Sequence, residues 1–380
     1  MFGFLLKKYY SQKIPKGYGQ RVVVGLSGGV DSSVAAAMLT ERGYTVTGAF
    51  IKVWQPDFLT CTWKEDRRDA MRICSHLDIP FKTINLEKIY KEKVVEYMVD
   101  SYKNGHTPNP DVMCNTYVKF GAFYDWAINN NYEYVATGHY ARTQLDKKSK
   151  KTNLKRGVDN SKDQSYFVWQ IQQEKLARIL FPVGSIPKKH VRSIARSYKL
   201  ATANKKDSQG LCFLGHIDIA EFLSHFITLK KGHIKDTSGK NIGHHKGVAL
   251  YTIGQRHGFT VDVHDENKSA LYITKKEIEN NTLTVSHDPV AQLFDKRHVP
   301  LRDVYLRTNF FQKTDDLEMS YTAQIRYHGH QYAVVLNVKN KKYFVCFEIE
   351  PHGLAVGQSI VFFDNDICVG GGIIDEPMIK

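Results

Sequence analysis

Three features of the 380-residue sequence predict an α/β domain with a doubly wound parallel sheet, followed by a small β-rich central domain and a C-terminal β-barrel. Residues 21–43 read as strand, tight turn and helix. Val22 to Val24 is a β-branched run, Ser27-Gly28-Gly29 the turn, and an Ala-rich segment with Val34, Met38 and Leu39 on one face runs to Gly43. Strand-like and helix-like segments then alternate as far as Thr137, which implies parallel strands joined by crossover helices. From about residue 230 short runs alternate with Gly, Asn, Asp and His turns, the texture of an all-β half.

In order, Thr45 to Ile51 is a second strand. A helix from Lys64 to Leu77 carries Ala70, Ile73, Cys74 and Leu77 and is halted by Pro80. Phe81 to Leu86 is a third strand, and Glu87 to Asn104, closed by Gly105, a long helix. Another helix from Lys119 to Asn130 leads into the strand Tyr134–Thr137, which ends in Gly138-His139-Tyr140. Ligands of such sheets bind at the carboxyl ends of the strands, where both Ser27 and Gly138 fall. Residues 144–153, with four lysines, read as a solvated hairpin tip or a phosphate-contacting loop. A helix-like stretch then reaches Leu180, and another runs from Val191 to Leu200. In the β half the strands are Leu271–Thr274, Leu283–Ser286, Thr322–Tyr327, Tyr332–Val338, Tyr343–Glu348, Ser359–Phe363 and Ile367–Gly371.

With 42% hydrophobic and 24% charged residues the composition is that of a globular chain, and no run of 18 apolar residues is present to span a membrane. The formal net charge of +14 suggests a polyanionic partner. The first twenty residues carry Lys7, Lys8, Lys13 and Lys16 and no acid, the pattern of a basic arm on a cytoplasmic protein. A mitochondrial presequence, and hence the matrix, is the alternative, although arginine is missing. The six cysteines (61, 74, 114, 212, 346 and 368) have no CxxC spacing, which argues against a disulfide framework or a structural zinc site.

The turn after the first strand is an anion site by construction. Two glycines let the backbone approach a ligand, and the free amides of the following helix point at it. The Gly-Lys-Ser/Thr ending that sets a lysine on terminal phosphates is absent. A plain Gly-Gly turn capped by Asp31 or Ser32 would use the same residues. Two cysteines are candidates for chemistry. Cys114 follows Thr107-Pro108-Asn109-Pro110-Asp111, a stretch that two prolines are expected to keep out of helix. Cys212 lies in the Gly210–Gly215 segment beside Lys205 and Lys206, whose charge would favour the thiolate. From spacing alone each is more often an inert small apolar residue, and Asp111 reads equally as a general base or a turn residue.

Ser27-Gly-Gly-Val-Asp-Ser32 resembles the pyrophosphatase loop of the N-type ATP pyrophosphatases. Thr107-Pro-Asn-Pro-Asp-Val-Met-Cys-Asn115, Thr137-Gly-His-Tyr-Ala-Arg142, Lys162-Asp-Gln-Ser-Tyr-Phe167, Lys206-Asp-Ser-Gln-Gly-Leu-Cys-Phe213, Tyr251-Thr-Ile-Gly-Gln-Arg256 and Gly370-Gly-Gly-Ile-Ile374 follow in one order. Together they resemble the tRNA-specific 2-thiouridylases from about residue 20 to 375. This resemblance implies a basic arm over 1–20, an ATP-pyrophosphatase domain of adenine nucleotide α-hydrolase type over 21–212, a central β-rich domain over 213–287 and a barrel over 288–380. It implies ATP and Mg2+ as cofactors, with Gly25, Leu26, Ser27, Gly28, Gly29, Val30, Asp31, Ser32, Ile51 and Gly138 around the nucleotide.

The resemblance further implies a catalytic persulfide on Cys212, its partner thiol on Cys114, and target-base contacts at Asn109, Pro110 and Asp111. Contacts to tRNA fall on His139, Lys162, Asp163, Gln164, Arg326, Tyr327 and Gln358. The implied partners are the anticodon arm of tRNA and a protein persulfide donor, either a sulfur carrier or a cysteine desulfurase. The implied reaction is adenylation of the C2 oxygen of the wobble uridine in the tRNAs for Lys, Glu and Gln, then sulfur transfer. Two departures stand out: Ile51-Lys-Val-Trp54 replaces the usual Met-Lys-Asn-Trp, and Val356 replaces a proline before Gly357-Gln358. Other readings are a loop-sharing enzyme that adenylates another RNA base or a small carbonyl metabolite, and a non-catalytic basic RNA-binding protein. Ligation of an iron–sulfur cluster by Cys114, Cys212 and Asp111 is a further alternative for those residues.

Overall fold

In the computed structural model, which describes residues 2–59, 63–207, 212, 218–262, 270–288, 295, 298–307 and 316–377, the N-terminal residues form more than an arm. Helix α1 (Phe2–Ser11) lies against a later helix, Lys188–Ser197, with Tyr10 buried and its hydroxyl 3.0 Å from Nδ1 of His190. Cys61 lies outside the described residues. The chain divides into two units, one of residues 1–94, 110–216 and 366–368, the other of residues 95–109, 217–365 and 369–380.

The first unit is built on β1 (Arg21–Gly25), whose Val22, Val23 and Val24 have no exposed surface because both faces of a central parallel strand are covered. It continues through α2 (Val30–Glu41), β2 (Thr45–Lys52), α3 (Trp63–His76) and β3 (Phe81–Asn85). The long helix expected after β3 has three parts: α4 (Glu87–Tyr90), a π-helical turn over Lys91–Val95, and α5 (Glu96–Lys103), which belongs to the second unit. Then follow α6 (Pro110–Met113), a π-helical stretch over Cys114–Phe123, α7 (Tyr124–Asn129) and β4 (Tyr134–Ala136).

The lysine-rich segment is the tip of a hairpin between β5 (Ala141–Leu145) and β6 (Thr152–Arg156). The helix expected to reach Leu180 is instead a 3-10 turn over Ser165–Val168, one turn of α8 (Gln173–Leu176) and a short strand, β7 (Ile179–Leu180). β7 completes the sheet beside β4: the amides of Val135 and Thr137 donate to the carbonyls of Arg178 and Leu180. A free sheet edge thus outweighed the local helical pattern. Helix α9 (Lys188–Ser197) closes the layer. The strand order β3-β2-β1-β4-β7 is all parallel, and it reverses direction between β1 and β4. That reversal opens a crevice at the strands' carboxyl ends.

The second unit adds α10 (Ile219–Ser224) and two β structures. β8 (Gly232–Lys235), β9 (Asn241–His245), β10 (Thr260–Val261), β11 (Tyr272–Glu277) and β12 (Thr282–Ser286) form a sheet of order β10-β9-β8-β12-β11, packed on Ile234, Tyr251, Ile273, Leu283 and Val285. β13 (Val299–Leu306), β14 (Asp316–Gln324), β15 (Gln331–Lys339), β16 (Lys342–Phe347), β17 (Ser359–Asp364) and β18 (Ile367–Ile374) form the six-stranded order β13-β16-β15-β14-β17-β18, which closes through β13–β18 pairing. β14 ends at Gln324, earlier than expected, so Arg326 and Tyr327 sit in the turn before β15, where His328 adopts a positive φ of 56°.

A buried carboxylate ties the hairpin to the rest of the first unit. Asp163 accepts from the amides of Gly157 and Ser165 at 2.9 and 3.0 Å and from the Ser165 hydroxyl at 2.9 Å, and it pairs with Arg156 at 3.0 Å. Replacing Asp163 by Ala strands the Arg156 charge in a buried site. The expected loss is about 3–5 kcal/mol of stability, seen as a lower urea midpoint for the fluorescence of buried Trp169; an unchanged midpoint refutes it.

Candidate active site

The phosphate-type loop grows directly out of the sheet. Beyond Gly25 the amide of Leu26 still donates to Ala49 of β2 at 2.7 Å, and the Leu26 side chain is buried. The chain then turns. Gly28 has φ +72°, and a Cβ there would stand 2.6 Å from the Asp66 carbonyl oxygen, so only glycine fits. The Ser32 hydroxyl lies 3.3 Å from the Ser27 amide and 3.4 Å from the Ser27 hydroxyl, which folds the loop over the start of α2. Gly29 is the extended residue before Val30, so the first-turn amides of α2 face the loop.

From the other side of the crevice, the end of β4 comes equally close. A Cβ on Gly138 would lie 2.6 Å from the Ser32 nitrogen and 2.8 Å from the carbonyl carbon of Asp31. Ile51, near the end of β2, is buried in the same sheet. Asp31 accepts a 2.6 Å hydrogen bond from Tyr140 and holds the Lys188 ammonium at 2.8 Å from both carboxylate oxygens. Lys188 also reaches Asp207 at 3.0 Å, and Asp207 in turn pairs with Arg192 at 2.6 Å and Lys162 at 3.7 Å. Sequence reasoning missed Lys188: it is 157 residues from Asp31 and carries no local signal beyond opening a helix after Pro187.

The two candidate cysteines meet. The Cys114 thiol donates to the Cys212 sulfur at 3.4 Å. The expectation that prolines keep Cys114 out of helix is corrected: Pro110 is the first residue of α6, where its missing N–H would be unpaired in any case, and Cys114 begins the π-helical stretch. Cys212 is held by its backbone, its amide donating to Asp111 Oδ1 at 3.0 Å and its carbonyl accepting from Tyr90 at 2.8 Å. The rest of the Gly210–Gly215 segment lies outside the described residues. Asp111 is fixed in turn, since Asn115 Nδ2 donates to its carbonyl at 3.0 Å.

Charge near the sulfurs comes from a residue the sequence reading overlooked. Lys205 was expected to favour the thiolate, but its ammonium is held by Asp66 and Asp69 at 2.9 and 2.7 Å. Lys119 hydrogen-bonds the Cys212 sulfur instead. The hydrogen bond from Cys114, then the Lys119 charge, bring Cys212 down to about 7 against burial and Asp111. Burial first, then the hydrogen bond with Cys212, hold Cys114 well above the ordinary thiol range. Of the two, the Cys212 sulfur is therefore the one that ionises first, while Cys114 keeps its proton. Lys119 Nζ also stands 3.4 Å from His139 Nε2, whose Nδ1 is 2.7 Å from Thr137 Oγ1. Burial, then the Lys119 charge, keep His139 neutral. By contrast Cys74 is buried and pushed up to about 11.

Residues 20–216 match the family described as tRNA methyl transferase HUP domain, residues 220–287 the tRNA methyl transferase PRC-barrel domain, and residues 305–374 the aminomethyltransferase beta-barrel domain. Over 363 residues the chain is 42% identical to the tRNA-specific 2-thiouridylase MnmA of Streptococcus thermophilus, covering 94% of this chain and 95% of that protein. The chain belongs to the tRNA-specific 2-thiouridylase family. The proteins of the same name from Bacillus velezensis and Bacillus subtilis are 41% and 40% identical over 362 residues each, again with 94% of this chain and 95% of theirs covered.

Within each unit, several of the residues that the thiouridylase resemblance assigns to tRNA are spent internally. His139 and Asp163 are buried, and Gln164 accepts from the Tyr140 amide at 2.9 Å. Arg326 clamps the carbonyls of Ile253 and Gly353 at 3.0 and 2.7 Å. Gln358 donates to the carbonyls of Thr107 and Pro108, both at 3.0 Å, just before buried Asn109. Lys162 is half-buried, and Tyr327 stacks on exposed His328 at 3.8 Å. Among the described residues no group of three or more His, Cys, Asp or Glu side chains converges as a metal site. Asp111 meets the Cys212 amide rather than completing a cluster with the two sulfurs. Also among the described residues, no helix is long and apolar enough to cross a membrane.

Mild oxidation with diamide is expected to join Cys114 to Cys212 within one chain, because their sulfurs already touch. Peptide mass spectrometry should find that linkage, reversed by dithiothreitol, with Cys74 and Cys368 untouched; linkage of Cys212 to any other cysteine instead contradicts the geometry.

Proposed function

We propose that this chain thiolates C2 of the wobble uridine in the tRNAs for Lys, Glu and Gln, using ATP and a persulfide carried on Cys212. The reading is carried by one observation: the contact of the Cys114 and Cys212 sulfurs next to Lys119 and the end of β4, the strand end that also abuts the phosphate-type loop.

A uracil C2 oxygen is a poor leaving group at neutral pH, so it must first be esterified. In the proposed first step the C2 oxygen attacks the α-phosphorus of ATP, pyrophosphate leaves, and the amides from Ser27 to Ser32 receive its charge. Asp31 with the Ser27 and Ser32 hydroxyls is a sparse, hard oxygen set, which fits magnesium held mainly by phosphate and water. Magnesium bound there would neutralise charge on the departing pyrophosphate. Lys188, already on Asp31, is the chain's own cation at the same point. Ile51 supplies an apolar wall for the adenine, and Gly138 adds a backbone contact to the nucleotide where the strand end meets the loop.

In the second step the terminal sulfur of the Cys212 persulfide attacks C2, the C2–O bond breaks and AMP departs. The Cys114 sulfur then attacks the Cys212 sulfur. The S–S bond breaks with its electrons moving to the sulfur left on C2, and a Cys114–Cys212 disulfide forms. Asp111, whose charge reaches both sulfurs, accepts the Cys114 proton. A thiol reductant restores the dithiol, and a protein persulfide donor reloads Cys212. The uridine is splayed out of its loop to reach the sulfurs, with Asn109, Pro110 and Asp111 against the base. Lys162 and Tyr327 face the tRNA, while His139, Asp163, Gln164, Arg326 and Gln358 hold the backbone and side chains that do so.

Cys212→Ser is expected to abolish 2-thiouridine in tRNA digests while tRNA-dependent AMP formation continues; normal 2-thiouridine from that variant refutes the assignment. Asp31→Ala is expected to lower pyrophosphate release at least a hundredfold. An unchanged release would show that the loop does not serve ATP.

A further inference from the structure

Lys119 enters none of these steps, yet it occupies the centre of the thiol site. Its position depends on an irregularity of the backbone. Cys114 and Lys119 are five residues apart, which in an α-helix would set them about 140° apart around the axis. Residues 114–123 are π-helical, with i→i+5 hydrogen bonding, so residues five apart stack on one face. The register is relieved at Gly121, whose φ of −99° and ψ of −105° are not helical, and where a Cβ would come within 2.8 Å of the Thr116 carbonyl oxygen. The sulfur of Cys114 and the ammonium of Lys119 consequently reach the same neighbour, Cys212, from one helical face.

The surroundings make Lys119 the cation of this site. The titratable groups facing it and Cys212 are Cys114 from its own π-helical stretch, Asp111 from α6, Tyr90 from α4 and His139 from the end of β4. Cys114, Tyr90 and His139 are all held neutral by burial before any other cause, and at His139 the Lys119 charge adds to it. Asp111 opposes a thiolate. With Nε2 of neutral His139 accepting from Lys119, its Nδ1–H donates to Thr137, and the imidazole becomes a fixed rest for the ammonium.

We propose that Lys119 is a positioning residue for sulfur transfer: it holds the Cys212 sulfur anionic, as thiolate and then as persulfide, with His139 and Thr137 as the struts that aim its ammonium. The proposal rests on the sulfur-carrying role given to Cys212 above and assigns His139 an internal task.

The test is the pH dependence of iodoacetamide alkylation at Cys212, read peptide by peptide, in the full-length protein and in K119M, K119R and H139Q. Wild-type alkylation should rise through a midpoint of about 7. K119M should move the midpoint up by about one unit or more, with about a tenfold slower rate at neutral pH, while K119R keeps the wild-type profile. H139Q should give a smaller upward shift. A wild-type midpoint in K119M overturns the proposal. If K119M loses its native circular dichroism, a wild-type midpoint in H139Q overturns it instead. Should the midpoints shift as stated while Cys212→Ser still yields 2-thiouridine, the sulfur-transfer reading falls and the cation assignment stands. Unshifted midpoints with thiolation lost in Cys212→Ser give the reverse.

Discussion

The site depends on how closely the end of β4 approaches its surroundings. Gly138 sits against the Ser32 amide, where any side chain would push the loop away, and the next residue, His139, carries Lys119. Two consecutive residues thus couple the glycine-rich turn to the pair of sulfurs. The coupling is steric on one side and electrostatic on the other. Both follow from β1 and β4 being neighbours at the point where the sheet order reverses, which leaves the loops above them free to diverge.

Around the sulfurs the fold accepts an expensive arrangement. An ammonium, a carboxylate and a thiolate are drawn largely out of water, and each would be costly alone. They persist because each meets a partner: Lys119 the Cys212 sulfur and His139, Asp111 the Cys212 amide, and the Cys212 carbonyl the Tyr90 hydroxyl. The π-helical stretch belongs to the same economy, since an α-helical register would turn Lys119 away from Cys114. Such insertions are destabilising locally and tend to survive where a side chain has to be re-aimed.

The proposed RNA-facing residues show a division of labour that a motif alone cannot display. A string such as Lys162-Asp163-Gln164 reads as three candidate contacts. In the fold, Asp163 closes a buried ion pair and Gln164 satisfies a backbone amide, and only Lys162 keeps its head near the surface. Arg326 and Gln358 likewise spend their donors on carbonyls, shaping the turns that neighbouring residues occupy. A residue can belong to a binding surface by holding it in place.

The sequence by itself determined the layers, the order of β1, α2, β2 and β3, the glycine-rich turn at the end of β1 and the two cysteines worth watching, because periodicity, glycine placement and proline punctuation are local. It misjudged Pro110, which starts a helix rather than barring one, and Ile179-Leu180, which a vacant sheet edge recruited as strand. Only the tertiary structure decided that Lys119 rather than Lys205 charges Cys212, that Lys188 rests on Asp31, and that sulfurs 98 residues apart touch. Electrostatic partnership is a matter of distance in space, and a chain of this length brings a given lysine to one of many carboxylates or thiols only through the packing of the whole domain.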